Sequence, residues 1–255
     1  MGWQDRFSLS GRKALVTGAS KGIGAEICSV FAEAGADIIA VARDEGGLAE
    51  VALAVRERGR KCLTITADMA TPDGPCKAAQ QALAAWGTID ILVNSAGIAR
   101  IAPALTLSPD WWDETMAVNL RAPFLLAQAL APAMIAQRWG KVINTSSQTG
   151  VIALDDHAAY AASKGGLNAL TKSLCAEWGR HNIQVNAICP TVVMTPMGRE
   201  VWGPPEKSAP LINATPARRF AEPVEVADAA LYLASDASAM VNGATLMVEG
   251  GFTSV

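Results

Sequence analysis

Ala14-Leu15-Val16-Thr17-Gly18-Ala19-Ser20-Lys21-Gly22-Ile23-Gly24 is the stretch whose reading decides the fold. A short apolar run of strand character passes through a glycine-rich turn into a helical pattern extending from Ile23 to Ala34. Glycines let a backbone turn tightly and come close to a pyrophosphate. The unpaired N–H groups at the start of the next helix supply an attractive field for an anion. A plain glycine-rich connection is the alternative, and the position directly after the first strand favours the phosphate site. Gly18, Ser20, Lys21, Gly22, Ile23 and Gly24 are thus cofactor-binding candidates.

Outward from this turn, apolar β-branched runs alternate with helix-length segments. Ala14–Val16, Ile38–Val41, Leu63–Ile65, Ile89–Val93, Val142–Ile143, Ile183–Ile188 and Thr245–Val248 read as strands. Ile23–Ala34, Gly47–Arg58, Pro75–Trp86, Pro109–Gln137, Ala158–Arg180 and Pro223–Ala234 read as helices. Parallel strands need right-handed crossovers, so this alternation predicts an α/β fold of the Rossmann-like, doubly wound kind. Helices cover both faces of a seven-stranded parallel sheet, and ligands sit at the C-terminal strand edge. A length of 255 residues suits a single dinucleotide-binding catalytic domain over residues 1–255. Prolines at 190, 196, 204, 205, 210 and 216 predict a long substrate loop, or lid, over residues 190–222.

Tyr160 and Lys164 stand four apart on a predicted helix and so share one face. A phenol titrates near pH 10, and an adjacent ammonium is expected to lower that value toward useful proton exchange. Ser147 ends the fifth predicted strand, where its hydroxyl could hydrogen-bond a reacting oxygen, with Ser146 as fallback. Asn119 is a poor choice for a helix interior unless its amide has a task there, the alternative being a capping or kink amide.

Thr17-Gly18-x-x-x-Gly22-Ile23-Gly24, Asn94-Ser95-Ala96-Gly97, Asn119, Ser147, Tyr160-x-x-x-Lys164 and Pro190-x-x-x-x-Thr195 occur in one order along nearly the whole chain. In these motifs the chain resembles the short-chain dehydrogenase/reductase family. Ser95 and Thr191 depart from the usual Asn and Gly of that family, and neither departure removes a catalytic group. The resemblance implies hydride transfer between a nicotinamide and a carbonyl or alcohol carbon. It assigns Tyr160 as proton-transferring group, Ser147 as partner of the substrate oxygen, and Asn119 as holder of a relay water leading to Lys164. It also implies cofactor contacts from Asp68 and Met69 after the third strand, from Asn94, Ala96 and Gly97 after the fourth, and from Pro190, Val193 and Thr195 after the sixth. Tyr160 and Lys164 are counted among the cofactor contacts too.

The second strand ends Val41-Ala42-Arg43. A carboxylate there would bind the ribose hydroxyl of NAD, whereas a guanidinium favours the 2'-phosphate of NADP. With Lys21 as second cation, NADP(H) is the preferred cofactor and NAD(H) remains possible through Asp44. Gln148, His157 and Trp202, with Ser147 and Tyr160, are the substrate candidates. The substrate loop from Asn186 to Trp202 is similar to the L-xylulose (dicarbonyl) reductase branch of the family, which implies a ketose or polyol. Packing roles for His157 and Trp202, and solvent exposure for Gln148, are the alternatives. The competing activities are 3-oxoacyl carrier-protein reduction, with Arg100, Arg121 and Arg138 as a docking surface, aldose 1-dehydrogenation, and non-catalytic sensing of NADPH.

A net charge of -3 gives no basic footprint for nucleic acid or an anionic membrane. Five cysteines, odd in number and without a C-x-x-C pair, suit reduced thiols in the cytoplasm, and two histidines assemble no metal-ligand spacing. Small residues on the helix from Ala158, namely Ala161, Ala162, Gly165, Gly166 and Ala169, would allow close helix packing. By family resemblance they imply a homotetramer.

Overall fold

A computed structural model describes residues 2–255. The elements run α1 (Trp3–Phe7), β1 (Lys13–Thr17), α2 (Gly22–Glu33), β2 (Asp37–Ala42), α3 (Glu45–Glu57), β3 (Cys62–Thr66), α4 (Gly74–Trp86) and β4 (Ile91–Asn94). Then follow α5 (Pro109–Met116), α6 (Ala122–Gln137), β5 (Gly140–Thr145), α7 (Ala158–Trp178), β6 (Ile183–Pro190), α8 (Pro196–Trp202), α9 (Pro205–Ala214), α10 (Pro223–Ala234) and β7 (Thr245–Val248).

The seven strands form one parallel sheet in the order β3-β2-β1-β4-β5-β6-β7. The central strands are apolar along their length because helices cover both faces. Ala14 and Val16 face a core built with Ile27, Phe31, Val226 and Leu233, while Leu15 faces one built with Ala78, Leu126, Leu130 and Leu174. The chain goes from β1 to β2 and β3 on one side, then returns to place β4 on the other. The crevice at this reversal, beyond the C-terminal ends of β1 and β4, is where a doubly wound sheet binds a nucleotide.

Two expectations are corrected here. The predicted helix Pro109–Gln137 is interrupted by a π turn over Ala117–Arg121, in which the Ala122 N–H reaches back to the Ala117 carbonyl. The stretch 190–222 is not a continuous loop but carries α8 and α9. Pro196 and Pro205 stand at the first helical positions, where a missing N–H costs nothing, and the Thr195 hydroxyl caps α8 by accepting from the Gly198 N–H at 3.1 Å. Two of the six prolines therefore mark helix starts, while Pro190 ends β6 and Pro210 lies inside α9. The run Pro109–Gln137 is also long and apolar enough to cross a membrane by length and composition, yet half of its most apolar window is buried within the fold, against α4 and the sheet.

Candidate active site

The glycine turn has the backbone that its residues require. Gly18 and Gly22 adopt φ values of +65° and +60°, a region that L side chains rarely enter. A Cβ on Gly18 would lie 2.8 Å from the Ala96 Cα, and one on Gly24 would lie 2.3 Å from the Gly18 carbonyl oxygen. The Thr17 hydroxyl braces the other wall, accepting from the Ser95 and Ala96 N–H groups at 3.1 Å each. Between these walls is a cavity of about 330 Å³.

Gly18, Ser20, Lys21, Gly22, Ile23 and Gly24 line one side of this cavity, Ala96 and Gly97 another, and Thr195 a third. Arg43, Asp68 and Met69 form its far end. Arg43 lies 3.8 Å from Asp68, both partly exposed, so the guanidinium is only loosely held. The Asp44 carboxylate accepts from the Gly47 N–H at 3.2 Å and caps α3. A glycine cradle, a helix N-terminus and a cation at the strand end fit a nucleoside pyrophosphate with a further phosphate at its ribose.

Five cofactor candidates, Asn94, Tyr160, Lys164, Pro190 and Val193, are absent from the cavity lining. The Asn94 side chain is buried and donates to the Asn144 Oδ1 at 2.9 Å, tying the ends of β4 and β5 together. Pro190 ends β6. Val193 is buried and pairs with Ala221, which holds the start of the 190–222 segment.

The catalytic candidates converge beside the cavity. Lys164 is buried and donates to the Thr145 carbonyl at 2.7 Å, with its Nζ 5.5 Å from the Tyr160 ring centre. Ser147 lies two residues past the end of β5, and its hydroxyl accepts from the Thr149 N–H at 3.2 Å and hydroxyl at 3.0 Å. Asn119 sits in the π turn, completely buried. Its Oδ1 accepts from the Ile98 N–H at 2.9 Å, and its Nδ2 donates to the Ile98 carbonyl at 2.9 Å and to the Ser163 hydroxyl at 3.0 Å. A Cβ on Gly97 would lie 3.5 Å from the Asn119 Oδ1 and 3.6 Å from the Lys164 Nζ, so both groups border the cavity wall at that point.

The expectation that Lys164 lowers Tyr160 is corrected. Burial raises the phenol above its ordinary value, and a hydrogen bond with the Ser147 hydroxyl is the opposing influence. The residue keeps part of its surface in solvent, which moderates that push. Burial likewise pulls Lys164 down to about 8, so its ammonium is close to losing its proton in mildly alkaline solution.

Of the substrate candidates, His157 precedes α7 and sets its ring edge-on to Tyr160, with centres 6.1 Å apart. Gln148 is buried rather than solvent-facing, and its Oε1 has no hydrogen-bond partner among the described residues. Trp202 packs edge-on against Phe220 at 6.1 Å and is not part of the cavity lining. Glu114 and Val118 line the cavity, and nothing in the residues alone points to them. Glu114 is gripped by Arg100 through two bonds of 2.8 and 3.2 Å, a pairing across fourteen positions that no local pattern announces.

The chain matches known proteins along nearly its whole length. The family profile described as Enoyl-(Acyl carrier protein) reductase matches residues 18–253. A D-threitol dehydrogenase of Mycolicibacterium smegmatis is 47% identical, over 97% of this chain and 95% of its own. An L-xylulose reductase of Bos taurus is 41% identical over 96% and 97%, and an NAD-dependent glycerol dehydrogenase of Listeria innocua is 38% identical over 99% and 98%. The crystal structure of a gluconate 5-dehydrogenase from Burkholderia cenocepacia, in complex with NADP and tartrate, superposes with a TM-score of 0.94 at 42% identity and covers all of both chains.

Proposed function

The chain belongs to the short-chain dehydrogenase/reductase family and is an oxidoreductase acting on CH–OH groups, and from that premise we propose that it interconverts a ketose or related sugar carbonyl with its polyol. The observation that carries the proposal is the meeting of Ser147, Tyr160 and Lys164 beside a cavity whose glycine cradle fits a dinucleotide.

NADP(H), when bound, supplies or accepts the hydride. Gly18 to Gly24 would hold its pyrophosphate, Arg43 and Lys21 its 2'-phosphate, and Thr195 its nicotinamide end. NADP(H) is preferred because Asp44 is engaged in capping α3 and Arg43 is only loosely paired, while NAD(H) remains usable. The Ser147 hydroxyl hydrogen-bonds the substrate oxygen and orients it toward Tyr160. A phenol raised by burial is protonated at neutral pH and therefore acts as the donor that completes a carbonyl reduction. In the reverse direction Tyr160 must first give up its proton, so alcohol oxidation accelerates as pH rises. Lys164, pulled down to about 8, takes part in restoring that proton.

Two observations favour a sugar over an acyl carrier. Gln148 has a buried acceptor oxygen without a partner and His157 stands against Tyr160, both suited to hydroxyl-bearing substrates. The proposed carrier-docking arginines are engaged elsewhere: Arg100 with Glu114, Arg121 with the Ala70 carbonyl and Arg138 with the Arg180 carbonyl. Trp202 and Phe220 stiffen the segment 190–222, which we assign as the lid over the substrate.

A homotetramer is part of the same reading. Ala162 and Ala169 on α7 remain exposed, as do Trp111, Trp112 and Phe124 on α5 and α6, Met240 before β7 and the terminal Val255. Five free thiols suit the cytoplasm. Turnover of erythrulose, xylulose, acetoacetyl thioesters and diketones, each assayed with NADPH, tests the assignment. Preference for the ketoses supports it, preference for the thioester moves the chain to fatty-acyl chemistry, and no turnover of any favours a sensor.

A further inference from the structure

Ser163 lies between Tyr160 and Lys164 in sequence, is completely buried, and has no place in the chemistry described so far. Its hydroxyl donates to the Tyr160 carbonyl at 2.7 Å and accepts from the Asn119 Nδ2 at 3.0 Å. A hydroxyl has one proton, and here it is committed to the carbonyl, so the remaining lone pairs are what receives the amide. Asn119 in turn grips both main-chain groups of Ile98, a residue of the cavity wall. One chain of hydrogen bonds therefore runs from the cavity wall through Asn119 and Ser163 to the backbone of the helix that carries the phenol.

We propose that Ser163 is a positioning residue for catalysis, acting through Asn119 to hold the π turn over Ala117–Arg121 in fixed register with Tyr160 and Lys164. The inference rests on the reading of Tyr160 as the proton-transferring group. The π turn makes such a tie necessary. It is a local irregularity between two regular helices, and the Asn119 amide is anchored at Ile98 on one side and needs a second anchor on the α7 side. Without the hydroxyl, a buried N–H of Asn119 loses an acceptor and the Tyr160 carbonyl loses a bond beyond its helical one. The Asn119 N–H, in a side chain with no solvent exposure, cannot turn to water instead. The displaced element is then the one bordering Lys164 at Gly97.

The test is a double-mutant cycle on the full chain, measured as steady-state turnover with NADPH and a reducible ketose. Ser163→Ala is expected to lower kcat about tenfold, with KM for the ketose and the binding constant for NADPH each within about twofold of wild type. In an Asn119→Ala background, Ser163→Ala should change kcat by less than about twofold, because the residue it acts through is gone. A tenfold loss of the same size in both backgrounds would overturn the proposal, as would unchanged kcat accompanied only by a lower melting temperature. Should Ser163→Ala fail to fold, Ser163→Cys, which keeps a weak donor and acceptor, takes its place in the cycle: a loss of kcat confined to the Asn119 background supports the proposal, and an equal loss in both backgrounds overturns it. Tyr160→Phe run alongside separates the layers: retained turnover there sinks the catalytic reading itself, whereas an inactive Tyr160→Phe with a normal Ser163→Ala sinks only the role of Ser163.

Discussion

Strand β5 has a buried lysine associated with each of its ends. Lys141, at the N-terminal end, is 1% exposed and donates to the Ser238 hydroxyl at 3.2 Å; Lys164, from α7, is 4% exposed and donates to the Thr145 carbonyl at the other end at 2.7 Å. Burial pulls both down to about 8. By titration alone the two are indistinguishable, yet their neighbours differ entirely. Lys164 faces a phenol that is itself hydrogen-bonded with the Ser147 hydroxyl, and borders a cavity at Gly97. Lys141 faces the Trp139 ring at 5.9 Å, with the Arg12 guanidinium 3.6 Å from the same ring and Asp236 as its opposing charge. A perturbed lysine marks a working site only where a cavity and a second reactive group accompany it.

The largest effect that could break this contrast is on turnover. Lys164→Met should lower kcat by about two to four orders of magnitude while Lys141→Met leaves it near wild type, both read from initial rates of ketose reduction. Equal losses in the two variants would make the distinction between the strand ends meaningless.

Stability should respond in the opposite sense. Lys141→Met removes a poorly compensated buried cation and is expected to raise unfolding free energy at pH 7 by about 1–3 kcal/mol, measured by urea denaturation. The sign of its pH dependence follows from a folded value of about 8 against an ordinary 10.5. Between those values the unfolded chain binds more protons, so wild-type stability rises with pH there, and the advantage of the variant shrinks from pH 8 toward 10.5. A constant advantage across that window would mean that Lys141 is not held at a depressed value.

The cofactor end sharpens the comparison further, since there the cation proposed to hold the 2'-phosphate, Arg43, is exposed. Arg43→Ala should weaken NADPH binding about tenfold, as followed by nicotinamide fluorescence, and NADH binding by less than about twofold. Equal weakening of both would remove the 2'-phosphate from its proposed place.

How much of this was legible in the residues depends on whether the cause was local. The strands were readable because a sheet buried on both faces needs unbroken apolar runs such as Leu92-Val93 and Val142-Ile143. The glycine turn was readable because φ values such as that of Gly18 admit almost no other residue. The helices α8 and α9 were not, since a proline at a first helical position looks the same as one in a loop. The π turn was hidden because one added residue hardly disturbs a helical apolar pattern. The Asn119 amide alone hinted at it, and its partner Ile98 is distant in sequence. The upward displacement of Tyr160 escaped a sequence reading for the same reason: the spacing to Lys164 is local, while the burial that outweighs it is made by the whole fold.

The measurement that bears most directly on the account is the NADPH-dependent reduction of a four- or five-carbon ketose by Tyr160→Phe, with folding checked by its melting temperature and cofactor binding by fluorescence. Loss of turnover by about two orders of magnitude or more, with NADPH still bound at near wild-type strength, is the predicted result. Ordinary turnover by that variant would contradict it.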